Sequence, residues 1–472
     1  MTERRLRQVQ PIEGRDGIPT WLYDLERTHV IPVPEAHRAA LGDALAGDAA
    51  PEVRAWLEAE DVLTQDGTVC RTDAGRIKLP VITDVSIDLA GACNMGCTYC
   101  FEDDIDSRIG PMSADTMVAA VEMAFRLSSD APRVVVHFGS GETLIRFAML
   151  CELVATAEAR AAAAGKTVGF ELTTNATLVT PEIAAFLRDH AFNVRVSCDG
   201  PPAVHNRFRP MLSGKPSYVA VERGLHTLLE HLGDRVTVNS VLAYPTRLRD
   251  LWAWAKQLGL RRYHVIKVGA HPGRDLNLEA RELSHFVEDL DAICAEMIAD
   301  LDASRRPIDY QPITKIVRRL MIPEPITRFC GVAGSYVGVA SNGKVYPCFR
   351  HLGLERYHLG DVRGEIDDSR RHAFLAAEAA DVDARPLCRD CWARYLCGGG
   401  CYADSTVYGP DARAPQAHHC PYWRAEIAAA IRMYGTLLDI DPLHCVRLFG
   451  DDPDALLGDD GSPAFVQPRN CT

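Results

Sequence analysis

The stretch Val85-Ser86-Ile87-Asp88-Leu89-Ala90-Gly91-Ala92-Cys93-Asn94-Met95-Gly96-Cys97-Thr98-Tyr99-Cys100 decides the reading of this chain. Val85 to Leu89 is an apolar run of strand length, and the thiols of Cys93, Cys97 and Cys100 follow it at once. Three thiolates so close together can wrap one corner of a cubane cluster, and Gly91 and Gly96 give the loop freedom to bend around it. Four cysteines would close a [4Fe–4S] cluster; three leave one iron open to an external ligand, such as an amino acid's amine and carboxylate. Three cysteines plus a distant histidine is also legal zinc chemistry, so spacing alone leaves both open.

Outward from this loop the pattern alternates. Strand-length runs recur at Val134 to Phe138, Val168 to Leu172, Val194 to Ser197, Val236 to Leu242 and Tyr263 to Val268. Helical stretches separate them, beginning near Ser113, after Glu142 and after Pro181, with another over Tyr218 to Leu232. The runs read as non-alternating, as expected of strands covered on both faces. Repeated right-handed βα units predict an α/β fold with a parallel sheet or open barrel. The active site then lies on the loops after the strands.

Before this region, Thr28 to Val33 reads as a strand and Pro51 to Glu60 as a helix, with Pro51 in its first turn. Both a small winged-helix-like module and an N-terminal extension packed on the main domain fit. After it, a stretch rich in Cys and Gly ends in a helix from Tyr422 to Leu438, and beyond Pro442 the chain turns acidic, as in a surface tail. The expected division is an N-terminal module over 1–78, a barrel over 79–310, a cysteine-rich domain over 311–440 and a tail over 441–472.

The 472 residues carry a net charge of −13 with both signs mixed, which argues against general binding to a nucleic-acid backbone. No apolar run near the N-terminus suggests a signal peptide and none is long enough to span a membrane, so a cytoplasmic address is expected. Sixteen cysteines in a reducing compartment point to metal or catalysis. Beside the first group stand Cys330, Cys348, Cys388, Cys391, Cys397, Cys401 and Cys420. Cys70, Cys151, Cys198, Cys294, Cys445 and Cys471 are scattered and read as small buried hydrophobes or incidental thiols.

C-x3-C-x2-C with an aromatic before the last cysteine resembles the signature of the radical S-adenosylmethionine superfamily, whose fold is a partial (β/α)6 TIM-like barrel. The resemblance implies that Cys93, Cys97 and Cys100 hold a catalytic [4Fe–4S] cluster and that Tyr99 packs by the adenine. Ser140-Gly141-Glu142-Thr143 resembles the family's Gly-Gly-Glu-Pro motif for the methionine amino group, with Ser for the first Gly and Thr for Pro. Thr174 and Asn175 resemble its ribose-contacting turn. Ser197-Cys198-Asp199-Gly200-Pro201 with His205 and Arg209 resembles a stretch of its peptide-modifying branch, which implies that Ser197 and Arg209 hold the methionine carboxylate.

The seven later cysteines resemble the SPASM domain, which carries two auxiliary [4Fe–4S] clusters. That implies an outer cluster on Cys388, Cys391, Cys397 and Cys420, and an inner one on Cys330, Cys348 and Cys401. Some relatives add a cysteine soon after the first, a stretch in which this chain has Tyr336, so the inner cluster either has an open iron or takes a fourth ligand from another residue, for example a scattered cysteine.

The whole resemblance implies a maturase with three clusters and S-adenosylmethionine, whose 5′-deoxyadenosyl radical abstracts hydrogen from a ribosomally made peptide or protein subunit. Thioether crosslinking is the expected product, with the maturase of quinohemoprotein amine dehydrogenase as one comparison. Formylglycine formation, as in sulfatase maturases, or carbon–carbon crosslinking are alternatives, and a redox-sensing iron–sulfur or zinc module is the non-enzymatic one. The resemblance also implies an electron donor such as a flavodoxin or ferredoxin. The general base has no assigned residue.

Overall fold

The computed structural model describes residues 5–6, 8–14, 18–25, 27–46, 50–60, 62–64, 79–105, 107–269, 275–322, 325–409 and 411–449. Near the N-terminus, β1 (Val9–Glu13), β2 (Pro19–Asp24) and β3 (His29–Pro32) form an antiparallel sheet, followed by α1 (Pro51–Ala59) with Pro51 in its first turn. One sheet face has its own small core of Leu22, Ile31, Val53 and Leu57, while Trp21 and Tyr23 on the other face join the main core.

The main sheet begins at β4 (Asp84–Ile87) and continues through βα units: α2 (Ala114–Leu127), β5 (Arg133–Phe138), α3 (Phe147–Ala164), β6 (Thr167–Thr174), α4 (Pro181–Asp189), β7 (Asn193–Ser197), α5 (Pro202–Phe208), α6 (Tyr218–Leu232), β8 (Val236–Leu242), α7 (Leu248–Gln257), β9 (Arg262–Lys267), α8 (Ala280–Asp302), β10 (Asp309–Tyr310) and α9 (Gln311–Met321). Neighbouring strands from β4 to β10 pair in parallel and in chain order. The sheet then runs on past β4 on its other side: β11 (Tyr336–Val339) lies parallel to β4, and β12 (Lys344–Tyr346) and β13 (Gly360–Asp361) follow antiparallel. The cysteine-rich region is thereby stitched edge to edge onto the strand that feeds the first cysteine loop.

The strands differ from the non-alternating reading in one respect that matters. In β5, Val134, Val136 and Phe138 are buried under the helices, while His137 between them faces the barrel interior. The same holds for Glu171 and Thr173 in β6, Arg195 and Ser197 in β7, and Arg262 and His264 in β9. Only the outer face is closed by helices; the inner face lines a cavity, so the strands carry polar residues among their inward positions.

After β13 come α10 (Asp368–Ala376) and the long α11 (Cys420–Ile440), which starts on a cysteine. The expected tail begins with a further helix instead, α12 (Leu443–Arg447), whose Cys445 and Val446 are buried against the core. The acidic residues that suggest a tail, Asp451, Asp452, Asp454, Asp459 and Asp460, come after this helix in the sequence. Cys70 and Cys471 lie outside the described residues. Among the described residues no helix is long and apolar enough to cross a membrane.

Candidate active site and cluster-binding cavity

A cavity of about 1330 Å³ opens between the barrel interior and the cysteine-rich region. All ten clustered cysteines line it, and none of the described scattered ones (Cys151, Cys198, Cys294, Cys445) does. All ten are free thiols. A scattered cysteine as fourth inner ligand, one of the alternatives above, therefore finds no candidate in the cavity lining among the described residues: Cys151 sits on α3, Cys198 and Cys445 are buried in apolar packing, and Cys294 sits on α8 in the core.

Asp88 shapes the entry to the first loop. Its Oδ1 accepts the backbone N–H groups of Ala90 (3.2 Å) and Gly91 (2.9 Å), and burial pushes its carboxyl up to about 7. Gly91 is required there, since at φ +53° a Cβ would stand 1.9 Å from the Gly110 carbonyl oxygen. Burial also pushes each of the Cys93, Cys97 and Cys100 thiols up to about 11. Thiols that burial holds protonated become thiolates when a metal supplies the compensating charge. Two cations already face them: Arg209 reaches Cys97 Sγ at 4.0 Å and Arg108 reaches Cys100 Sγ at 3.7 Å.

The residues matched to cofactor contacts gather around this loop. Tyr99, Ser140, Gly141, Thr174, Asn175, Ser197 and Arg209 all line the cavity. Glu142 does not. It is wholly buried, and its carboxylate accepts hydrogen bonds from Leu144 N (3.1 Å), Thr174 Oγ1 (2.8 Å) and Asn175 N (2.7 Å). Its place is a strut joining the loops after β5 and β6. Gly141, at φ +59°, lies so close to the cysteine loop that a Cβ would stand 2.1 Å from the Ala92 carbonyl oxygen. Ser140 holds φ +77°, and its buried Oγ has no hydrogen-bond partner within the protein.

Arg209 pairs with the buried Asp199 (3.0 Å), lies 5.2 Å over the Tyr99 ring, and shares Asp199 with the Tyr99 hydroxyl. The histidine between them is a tether: His205 Nδ1 accepts from Asp199 N (3.2 Å), and its Nε2 meets Ser217 Oγ at 3.0 Å. Burial pushes His205 down to about 4, so it is neutral at pH 7.

The later cysteines fall into two neighbourhoods. The thiol of Cys348 feels those of Cys401 and Cys330, while Cys388 feels Cys397, Cys420 and Cys391. Among the described residues no three His, Cys, Asp or Glu side chains converge tightly enough for a single metal ion. Tyr336 lies beside Cys348 and Cys330, and these thiols, after burial, raise its phenol.

Sequence reasoning missed several residues that organise the site. Glu102, buried, accepts from Gly141 N at 2.6 Å and so clamps the loop after β5 to the first cysteine loop. Asn94 meets Asn175 (2.8 Å) and Thr177 (2.8 Å), joining that loop to the turn after β6. Phe101, next to Cys100, contacts Phe349, next to Cys348, edge to face at 5.7 Å, and Arg350 donates to Cys401 Sγ at 3.1 Å while pairing with Asp404 at 2.7 Å. Inside the barrel, His137 stands between Asp84 (3.1 Å) and Glu171 (3.1 Å). Polar residues set between apolar ones within the strands were the available signal for this last group.

Comparison with known proteins agrees with this geometry. Residues 87–258 match the model of the Radical SAM superfamily, so the chain carries a radical SAM domain and is an enzyme. A serine-type anaerobic sulfatase-maturating enzyme of Bacteroides thetaiotaomicron is 24% identical over 343 residues, covering 66% of this chain and 80% of its own. A cysteine-type counterpart of Clostridium perfringens is 22% identical over 329 residues, covering 66% and 86%. The solved structure described as native anSMEcpe with bound AdoMet shares the fold, with a TM-score of 0.63 at 19% identity over 76% of this chain and all of the other.

Proposed function

We propose that this radical SAM enzyme modifies a peptide or protein, with S-adenosylmethionine and a three-cysteine [4Fe–4S] cluster at the first loop and two auxiliary clusters in the cysteine-rich region. The observation that carries the reading is the single cavity lined by all ten clustered cysteines, three at the barrel mouth and seven across from them. The residues present fit the groups. Free thiols lining one cavity without single-ion geometry suit cubanes, which spread their thiolates over four irons; zinc at about 2.3 Å from each sulfur would draw them to about 3.8 Å of one another. The orphaned Ser140 hydroxyl and the close approach of Gly141 to the cysteine loop suit a polar cofactor seated between them.

Cys93, Cys97 and Cys100 would hold the catalytic cluster; Cys388, Cys391, Cys397 and Cys420 the outer one; Cys330, Cys348 and Cys401 the inner one. Bound together, cluster and cofactor supply the one-electron chemistry that removes a hydrogen atom from substrate. The chain's own residues do the rest. Arg209 and Ser197 face the loop where a carboxylate would lie, Tyr99 is positioned by Asp199 for the nucleoside, and Arg108 and Arg209 offset thiolate charge. The barrel's lining gives the substrate a chamber with polar groups set among apolar ones, and the Phe101–Phe349 pair stands where it meets the cysteine-rich region. The sulfatase-maturating relatives favour oxidation of a Cys or Ser side chain, and the three-cysteine inner set, with Tyr336 beside it, favours capture of a substrate thiol and thioether formation.

Anaerobic reconstitution followed by dithionite and S-adenosylmethionine tests the activity. 5′-Deoxyadenosine should appear, and Cys97→Ala should make none. Iron-loaded protein that leaves the cofactor intact would overturn the proposal. Mass spectrometry of a co-expressed polypeptide encoded nearby separates the products: a loss of two hydrogens per thioether, or an aldehyde in place of a Cys or Ser side chain.

A further inference from the structure

The charge lining the barrel interior does not balance, although the chain as a whole is acidic at −13. Each acid that lines the cavity is already held by a cation of the protein. Asp84 and Glu171 share His137, Glu102 faces Arg108 at 3.6 Å, Asp404 holds Arg350, and Glu426 holds Lys267 at 2.5 Å. Arg195 and Lys315 have no such counterpart: among the described residues no carboxylate lies within ion-pair distance of either. Arg195 meets only the ring of His264, at 3.0 Å from Nδ1, and His264 in turn meets Asn239 at 3.0 Å. The nearest acids are engaged elsewhere, Glu171 on His137 and Asp309 on Arg262 at 3.4 Å and on Thr314.

These cations work against one another. Burial lowers Arg195, Glu171 opposes the shift from beyond ion-pair distance, and Arg262 adds to it; Lys315, whose side chain still reaches solvent, is pushed down to about 8 by partial burial and then by Arg195, with Asp309 opposing and Arg319 and Arg262 adding. His264 is driven well below its usual range by burial and then by Lys315 and Arg195. Like charges gathered with too little counter-charge in a partly desolvated cavity are the arrangement that an incoming anion relieves. A carboxylate matches the guanidinium fork, with the ammonium as a second contact.

We propose that Arg195 and Lys315 form an anion site inside the barrel that docks a carboxylate of the substrate, from an Asp or Glu side chain or from a peptide C-terminus. The site rests on the reading of a peptide or protein substrate, and its selection of an acidic segment goes beyond that reading.

Calorimetric titration of the reconstituted, unreduced protein at fixed ionic strength tests it without turnover. The probes are acetyl-Gly-Ala-Glu-Ala-Gly-amide, its Gln counterpart, and acetyl-Gly-Ala-Gly-Ala with a free C-terminal carboxylate. The Glu peptide or the free-carboxylate peptide should bind about ten- to a hundred-fold more tightly than the Gln peptide, as expected of a charged hydrogen bond; which of the two does so identifies the source. R195Q and K315Q should erase the preference, and R195K should keep part of it. Equal binding of charged and neutral peptides, a preference that survives R195Q and K315Q, or displacement by S-adenosylmethionine would each overturn the proposal. Release of 5′-deoxyadenosine by R195Q in the absence of peptide reports separately on the radical chemistry.

Discussion

Gly141 holds a left-handed backbone against the Ala92 carbonyl, with no room for a methyl group. Gly141→Ala should therefore cost about 2 kcal/mol or more and displace the first cysteine loop, seen as a lower melting temperature and incomplete iron loading. His205 makes a second prediction at the same scale. Its folded pKa of about 4 lies below the ordinary 6.5, so it stabilises the fold above pH 6.5 and loses that contribution as pH falls toward 4. Between pH 7 and 5 the loss is about 2 kcal/mol, or about thirty-fold in local opening. Hydrogen exchange over residues 198–217, corrected for intrinsic rates, should show that drop in the native protein and little pH dependence in His205→Gln.

At the level of elements, the site is a set of loops after parallel strands, laced together by hydrogen-bonding side chains such as Glu102, Asn94 and Glu142. Glu142 joins the loops after β5 and β6 through three accepted hydrogen bonds, two of them from backbone N–H groups on different oxygens. Glu142→Gln turns one acceptor into a donor facing a donor, whichever way the amide lies. The expected cost is about 1 to 3 kcal/mol, read as a lower melting temperature, with weaker binding of S-adenosylmethionine because Ser140 and Gly141 shift with the loop. The motif's acidic residue thus acts as a strut, which its sequence context did not distinguish from a direct ligand.

Across the whole molecule, β11 pairs with β4, so the strand that delivers the first cysteine loop also anchors the cysteine-rich region. The partition of the seven later cysteines gives a prediction at this scale. Cys388→Ala and Cys420→Ala should each remove about four irons and leave the inner set loaded; Cys348→Ala and Cys401→Ala should remove the other four. Iron analysis with Mössbauer spectroscopy checks it, and variants from both sets that lose the same irons would refute the partition.

The order of strands and helices, the placing of motifs after successive strands and the two cysteine groups were legible in the sequence, because hydrophobic periodicity and metal-ligand spacing are local properties. Even the polar inner faces were written there, in alternations such as Asn193-Val194-Arg195-Val196-Ser197, though the apolar half of the pattern dominates the eye. Only tertiary structure decided that Glu142 lies outside the cavity lining, that the scattered cysteines Cys151, Cys198, Cys294 and Cys445 stay out of it, that Leu443–Arg447 folds back as a helix, and that Arg195 and Lys315 line one cavity with no carboxylate of the described residues at ion-pair distance from either. Burial and charge balance are sums over residues far apart in the chain, and no local stretch contains them.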